Sequence, residues 1–190
     1  MPWPAFNELG DLPVGVHPAT LAEVIAHFGH GTAQRVTITA RLERIYELAR
    51  RTESLQRFII FGSYVTAEPN PRDVDIFLVM RGGFQPREAP SEAQSLFRQG
   101  TAESELGASI FWVNTETSFA DTEDLLIGWQ TRRDLQRLGI VEVIDHDLEC
   151  CGTSGSARIC VALRAHLNCG AEDVHPRSLR GDGRQLPGGN

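Results

Sequence analysis

The chain has 190 residues, of which 41% are hydrophobic and 23% are charged, enough apolar content for one packed domain. Its net charge of −7 argues against binding nucleic acid through a broad basic surface. No run approaches the roughly 20 apolar residues that a membrane-spanning helix needs, and the first residues lack the basic start and apolar core of a signal peptide. We therefore expect a cytoplasmic protein with no membrane partner and no general nucleic-acid surface.

The first 51 residues predict an extended arm and two helices. Prolines are frequent in residues 1–18, which favours an arm that lies along the surface. Thr20 and Glu23 have the spacing of a capping box and predict a short helix that ends near His27. Apolar side chains recur at helical spacing over residues 32–51, so we expect a longer second helix there.

The middle of the chain predicts two buried strands and a further helix. Phe58–Phe61 and Val74–Met80 are continuous apolar runs, which is typical of strands covered on both faces. Prolines between them exclude a long helix, so the connection after Gly62 should be one helical turn and an extended loop. Ser91 is a suitable N-cap for a helix over residues 91–102.

The last third of the domain predicts two strands around a helix. We expect strands at Ile110–Val113 and Gly139–Ile144, and a helix that starts at Asp121 or Thr122 and ends near Gln130. The complete order predicts an α/β (α+β) fold. It should contain a small mixed sheet, flanking helices and an amino-terminal helical arm.

The carboxy-terminal residues have a different character. We assign residues 1–147 to one domain and residues 148–190 to a tail, with a helix over 157–167 and disorder over 170–190. All four cysteines lie in this tail: Cys150, Cys151, Cys160 and Cys169. They lack the spacing typical of a structural zinc site, so reduced thiols are the favoured interpretation and zinc binding the alternative.

A glycine–serine pair and two aspartates carry the clearest chemical pattern. Gly62 and Ser63 end the first buried strand, and Asp73 and Asp75 lead into the second. Because side chains alternate along a strand, both aspartates should point to one face, where their charges repel unless a cation separates them. Carboxylates suit Mg²⁺, with Mn²⁺ as an alternative, and a glycine corner suits phosphate. The pattern predicts phosphoryl or nucleotidyl transfer; the simpler alternative is a turn whose carboxylates face water.

Gly-Ser, nine residues, Asp-Val-Asp and an apolar run together resemble the signature of the minimal nucleotidyltransferase superfamily, which has the DNA polymerase β-like fold. Flanking segments at residues 4–20 and 129–143 are similar to a bacterial branch of that superfamily, so the resemblance covers about residues 1–147. It implies Mg²⁺-dependent transfer of a nucleoside monophosphate from a nucleoside triphosphate such as ATP. The acceptor would be a hydroxyl of a protein, an RNA or a small molecule, and relatives often belong to bacterial toxin–antitoxin pairs.

The resemblance assigns roles to four residues, and the chemistry of arginine adds a fifth candidate. Asp73 and Asp75 would be the catalytic metal ligands, and Gly62 and Ser63 would bind the phosphates. Arg132, which follows the predicted helix, is a candidate for binding phosphate, although a solvated cation at a helix end is the simpler interpretation. Together these residues are predicted to bind a nucleotide and the metal ion that accompanies it.

Two tryptophans are candidates for stacking a base. Trp112 lies in a predicted strand, and Trp129 lies at the end of a predicted helix. Large aromatic side chains more often fill the core, so core packing is the favoured interpretation for both.

One part of the superfamily pattern is missing. The superfamily usually carries a third Asp or Glu on a later strand, where it binds metal and activates the attacking hydroxyl. Ser109 stands at that place, and none of residues 108–113 is acidic. Glu105, Glu116 and Glu142 are the candidate substitutes. The alternative function is therefore a weakly active or inactive module that binds a nucleotide or a partner protein, as an antitoxin does.

Overall fold

The structure is a computed structural model, and it describes residues 3–98, 100–116, 122–131 and 136–144. The chain divides into two units, Met1–Glu149 and Cys150–Asn190. The second unit lies outside the described residues, so the expectations about its helix, its disorder and its cysteines stay predictions. No helix within the described ranges is long and apolar enough to cross a membrane.

A five-stranded mixed sheet organises the described part of the chain. The strands are β1 (Gly15–Ala19), β2 (Leu55–Phe61), β3 (Asp75–Met80), β4 (Ser109–Asn114) and β5 (Gly139–Val143). Their order across the sheet is β1-β5-β2-β3-β4. The β1–β5 and β3–β4 pairs are parallel, whereas β2 is antiparallel to both of its neighbours. The predicted α/β fold with a small mixed sheet is confirmed.

Four α-helices and three short 3₁₀ helices connect these strands in the described residues. The α-helices are α1 (Leu21–Phe28), α2 (Ala33–Arg50), α3 (Thr101–Leu106) and α4 (Thr122–Trp129), and the 3₁₀ helices are Ser63–Val65, Pro86–Glu88 and Ser91–Phe97. The predicted capping box is present at α1, where Thr20 and Glu23 bond each other's backbone N–H groups. The predicted second helix and the short turn after Gly62 are also confirmed.

Two predictions of local structure need correction. The arm is extended, but its last residues form β1, an edge strand, which is the position in a sheet that accepts a proline such as Pro18. The continuous helix predicted over 91–102 is wrong. A 3₁₀ helix ends at Phe97, and α3 starts only after Gly100, whose left-handed conformation (φ 79°) cannot continue a helix. Ser91 makes no cap, because the residue at the cap position is Pro90.

The core lies on both faces of the sheet, which explains why the central strands are apolar at every position. One face packs against α2, and its fully buried residues include Ile60, Ile76, Leu78, Leu42 and Ile45. The other face packs against α4 through Ile59, Phe77, Val79, Ile140 and Leu126. Side chains alternate between the two faces along each strand. Phe61 at the end of β2, Asp75 at the start of β3 and Ser109 at the start of β4 therefore lie on the α4 face.

The connection between β2 and β3 is fixed by one buried cation on α2. The Arg35 guanidinium donates hydrogen bonds to the carbonyl oxygens of Tyr64 at 3.0 Å, Thr66 at 2.7 Å and Glu68 at 3.1 Å. It also donates to the carbonyl of Phe28 at the end of α1, at 2.8 Å. Prolines prevent a long helix between β2 and β3, so the carbonyls of this connection lack helical hydrogen-bond donors. The Arg35 guanidinium supplies donors in their place.

Neighbouring residues hold the remainder of the same connection. Thr32 and Gln34, at the start of α2, donate to the carbonyls of Pro69 at 3.0 Å and Pro71 at 3.3 Å. From the arm, the carbonyl of Gly10 accepts the N–H of Ala67 at 2.8 Å. The segment that leads from Ser63 to Asp73 is thus anchored along its length, although it has little regular structure.

We expect Arg35→Met to destabilise the protein strongly. Methionine keeps an apolar stem but leaves several buried carbonyl oxygens without a donor, which should lower the free energy of unfolding by about 2 to 4 kcal/mol. Denaturant titration measures this change. The control Arg44→Met removes an exposed arginine of the same helix and should change stability by only about 0.5 kcal/mol. Equal losses in the two variants would contradict the role of Arg35.

Candidate functional site

The glycine corner and the second aspartate meet at one end of the sheet. Phe61, the last residue of β2, pairs with Asp75, the first residue of β3, so Gly62 lies directly beside the Asp75 carboxylate. A Cβ at Gly62 would overlap Asp75 Oδ2, and the residue has φ 74°, a conformation that side chains disfavour. Only glycine fits at this position. The next residues, Ser63–Val65, form a single 3₁₀ turn, and Ser63 is half-buried at its start.

Ser109 completes the cluster from the neighbouring strand. It pairs with Asp75 in the parallel register of β3 and β4, and its hydroxyl donates to Asp73 Oδ2 at 3.0 Å. The structure therefore brings Ser109 to both carboxylates, at the place where the resemblance leads us to expect a third acid. A hydroxyl there orients Asp73 without adding a third negative charge.

The surroundings of Asp75 disfavour the negatively charged form of its carboxyl group. The pKa of Asp75 is raised to about 6, mainly by burial and also by the negative charge of Asp73, while the hydrogen bond from the Ser109 hydroxyl partly opposes this shift. Both aspartates are half-buried, so neither carboxylate is fully exposed to water as the simpler alternative requires. Two carboxylates held together in this way favour a cation between them.

The three candidate substitutes for the missing acid lie elsewhere. Glu142 pairs with Ile59, not with the end of β2, and both of its oxygens accept hydrogen bonds from Arg57, at 2.7 and 2.8 Å. Glu105 and Glu116 are exposed. Within the described residues, no group of three or more His, Cys, Asp or Glu side chains could hold a metal ion. The described site has two carboxylates.

This donor set fits a divalent cation that shares its coordination with a substrate. Mg²⁺ is often bound by only one or two protein carboxylates, with water and phosphate oxygens filling the other positions. Asp73 and Asp75 supply two hard oxygen ligands. The Asp75 carboxylate occupies the space beside Gly62 where a side chain would lie, so the glycine allows the backbone corner to pack against that carboxylate. Arg132, the predicted phosphate ligand, lies outside the described residues, and its role stays a prediction.

An aromatic cluster of Phe61, Phe77, Phe111 and Trp129 adjoins the carboxylates on the α4 face. The ring of Trp129 lies 4.9 Å from Phe61, 5.1 Å from Phe77 and 4.6 Å from Phe111, measured between centroids. Trp112, the other tryptophan considered from sequence, instead packs against aromatic side chains in the core on the α2 face. Sequence reasoning missed Phe61 and Phe111. Phe61 pairs directly with Asp75, and Phe111 follows Ser109, the other partner of Asp75, by two residues, so both side chains lie on the same face as Asp75.

A cavity of about 410 Å³ lies beside β4. The residues that line it include Ser109, Phe111 and Trp129, together with Arg98 and Glu103. Ser109, which donates to Asp73, is the member of the carboxylate cluster that lines this cavity. Its volume is in the usual range for small-molecule sites.

Residues 4–144 match the model of a family of unknown function, DUF6932, and the chain belongs to that family. No curated protein and no solved structure matches the chain significantly. The family description assigns no activity.

We expect Asp75→Asn to stabilise the metal-free protein at neutral pH. The ordinary carboxyl pKa is 3.8 and that of folded Asp75 is about 6, so between these values the folded state keeps a proton that the unfolded chain has released. The contribution of Asp75 to stability therefore falls as the pH rises through this interval and stays low above it. The variant should gain about 1 to 3 kcal/mol in unfolding free energy at pH 7.5, and much less at pH 4.

Denaturant titration in EDTA measures this difference. Glu88→Gln, which neutralises an exposed carboxylate, is the matched control and should show no comparable dependence on pH. If Asp75→Asn were no more stable than the wild type at pH 7.5, the account of Asp75 as a strained carboxylate would be wrong.

Proposed function

We propose that the protein is a Mg²⁺-dependent nucleotidyltransferase that transfers a nucleoside monophosphate from a nucleoside triphosphate to an acceptor hydroxyl. The supporting observation is that Gly62, Asp73 and Asp75 converge at one sheet end, where Asp75 is half-buried beside a like charge. Such a site gains stability from a bound cation. The resemblance to the nucleotidyltransferase superfamily points to the same chemistry.

Each residue of the cluster has a defined task in this proposal. Asp73 and Asp75 hold the divalent cation, which, when bound, supplies positive charge to the phosphate oxygens. Gly62 allows the backbone corner to pack against the Asp75 carboxylate, and this corner and the Ser63 hydroxyl bind the phosphate. Ser109 keeps Asp73 oriented through their 3.0 Å hydrogen bond.

The transfer forms one bond and breaks another. The acceptor oxygen bonds to the α-phosphorus while the bond from that phosphorus to the pyrophosphate oxygen breaks, and the acceptor proton leaves to solvent. The described residues place no third carboxylate to receive that proton. A positioned general base contributes about 10²- to 10⁴-fold in rate, so we expect a slow enzyme.

A second candidate function is a nucleotide-binding or partner-binding module with little or no catalysis. Ser109, which replaces the expected acid beside both aspartates, is the observation that favours it. In this version the protein binds a nucleoside triphosphate, or a partner protein as an antitoxin does, and transfers nothing. Both candidates operate in the cytoplasm, and a protein or RNA is the acceptor class favoured for the enzyme.

Transfer of label from nucleotide tests the proposal. The purified protein is incubated with Mg²⁺ or Mn²⁺ and each of the four α-³²P-labelled nucleoside triphosphates, with and without cell lysate. We expect label on protein or RNA with the wild type and none with Asp73→Asn/Asp75→Asn, because that variant lacks both cation ligands. The matched control is Glu105→Gln/Glu116→Gln, which removes two exposed carboxylates and should keep the activity.

The variant Ser109→Asp separates the two candidates. It places a third carboxylate beside the pair and should increase the transfer rate about 100-fold if the missing acid limits catalysis. If wild type and Ser109→Asp both bind nucleotide and neither transfers label, the binding module is the better account. If neither binds nucleotide with Mg²⁺ or Mn²⁺, the enzyme and the nucleotide-binding module are both wrong, and only the partner-binding module remains.

A further inference from the structure

An exposed aromatic side chain lies next to the proposed site. Phe111 is 42% exposed and is the single aromatic residue among the exposed large hydrophobic residues of the described ranges. It lies two residues after Ser109 in β4, so both side chains are on the same face of the sheet. The exposed part of this ring is available for contact with a ligand bound at the neighbouring carboxylates.

The Phe111 ring packs against two other members of the aromatic cluster. Its ring centroid is 4.6 Å from that of Trp129 and 6.2 Å from that of Phe61. Trp129 and Phe61 are themselves partly buried and pack on the core of the α4 face. Phe111 therefore presents a ring whose orientation is fixed by its neighbours while part of its surface faces solvent.

The cavity beside β4 extends from this ring to Ser109, the residue that bonds Asp73. Phe111, Trp129 and Ser109 all line it, and Ser109 bonds Asp73. Two residues along a strand span roughly 6.6 Å, a distance comparable with the span of a ribose between its α-phosphate and its base. A nucleotide whose phosphates lie at Asp73 and Asp75 would thus reach the aromatic cluster with its base.

We propose that Phe111 and Trp129 form a stacking surface for the base of the bound nucleotide. This inference rests on the proposed function and adds to it the class of ligand, a nucleoside triphosphate held by its base as well as by its phosphates. Stacking uses the ring face that every base possesses, so the surface accepts purines and pyrimidines. The larger purine ring covers more of the aromatic surface, and ATP should bind more tightly than CTP.

Calorimetric titration with two probes tests the inference. Mg·ATP carries a base, whereas Mg·tripolyphosphate carries only the phosphates. We expect the wild type to bind Mg·ATP at least about tenfold more tightly than Mg·tripolyphosphate, in keeping with the usual strength of base–aromatic stacking. Tryptophan fluorescence should be quenched by Mg·ATP and not by Mg·tripolyphosphate.

Phe111→Leu keeps an apolar side chain and removes the aromatic ring. We expect it to lose most of the preference for Mg·ATP while its affinity for Mg·tripolyphosphate stays unchanged. Val36→Ala, which truncates an exposed apolar residue of α2, is the matched control and should bind both probes as the wild type does. Circular dichroism checks that each variant is folded.

The outcomes separate this inference from the proposed function. Equal affinity of the wild type for the two probes, or an unchanged preference in Phe111→Leu, would overturn the stacking surface and leave the phosphate and cation site standing. Failure of the wild type to bind either probe would overturn the proposed function and the stacking surface together.

Discussion

The buried guanidinium of Arg35 is the interaction on which the candidate site depends. The chain must pass from the end of β2 to Asp73 through a segment that contains two prolines, and a helix cannot form there. Arg35 satisfies the carbonyls that a helix would have satisfied internally, and Thr32 and Gln34 extend this anchoring to the residues just before Asp73. The position of Asp73 beside Asp75 is therefore set from α2 and not by local regular structure.

The anchoring by Arg35 stabilises two locally unfavourable features of the site. Asp75 is half-buried next to a like charge, and Gly62 is held in a left-handed conformation against it. Both features are unfavourable locally, and the packed sheet around them holds them in place. Clusters of strained groups of this kind are characteristic of sites that bind charged ligands, which is why we base the functional account on them.

The parts of the structure that sequence reasoning predicted are those with a strong local signal. The apolar runs identified β2 and β3. Strand alternation predicted that both aspartates share a face; Asp73 precedes β3, and it accepts a hydrogen bond from Ser109, which is level with Asp75. Strand β1 was missed because its proline hides an edge strand. The role of Arg35 depends on carbonyls about thirty residues away in the chain, and no local pattern reports such a contact.

The central claim is that Asp73 and Asp75 form a divalent-cation site, and crystals of the protein grown with Mn²⁺ and a non-hydrolysable nucleoside triphosphate test it most directly. Anomalous diffraction locates Mn²⁺ without reference to any assumed mechanism. The account predicts an anomalous peak within coordination distance, roughly 2.0 to 2.3 Å, of carboxylate oxygens from both aspartates. Ordered carboxylates with no peak between them, or Mn²⁺ bound only elsewhere, would contradict it.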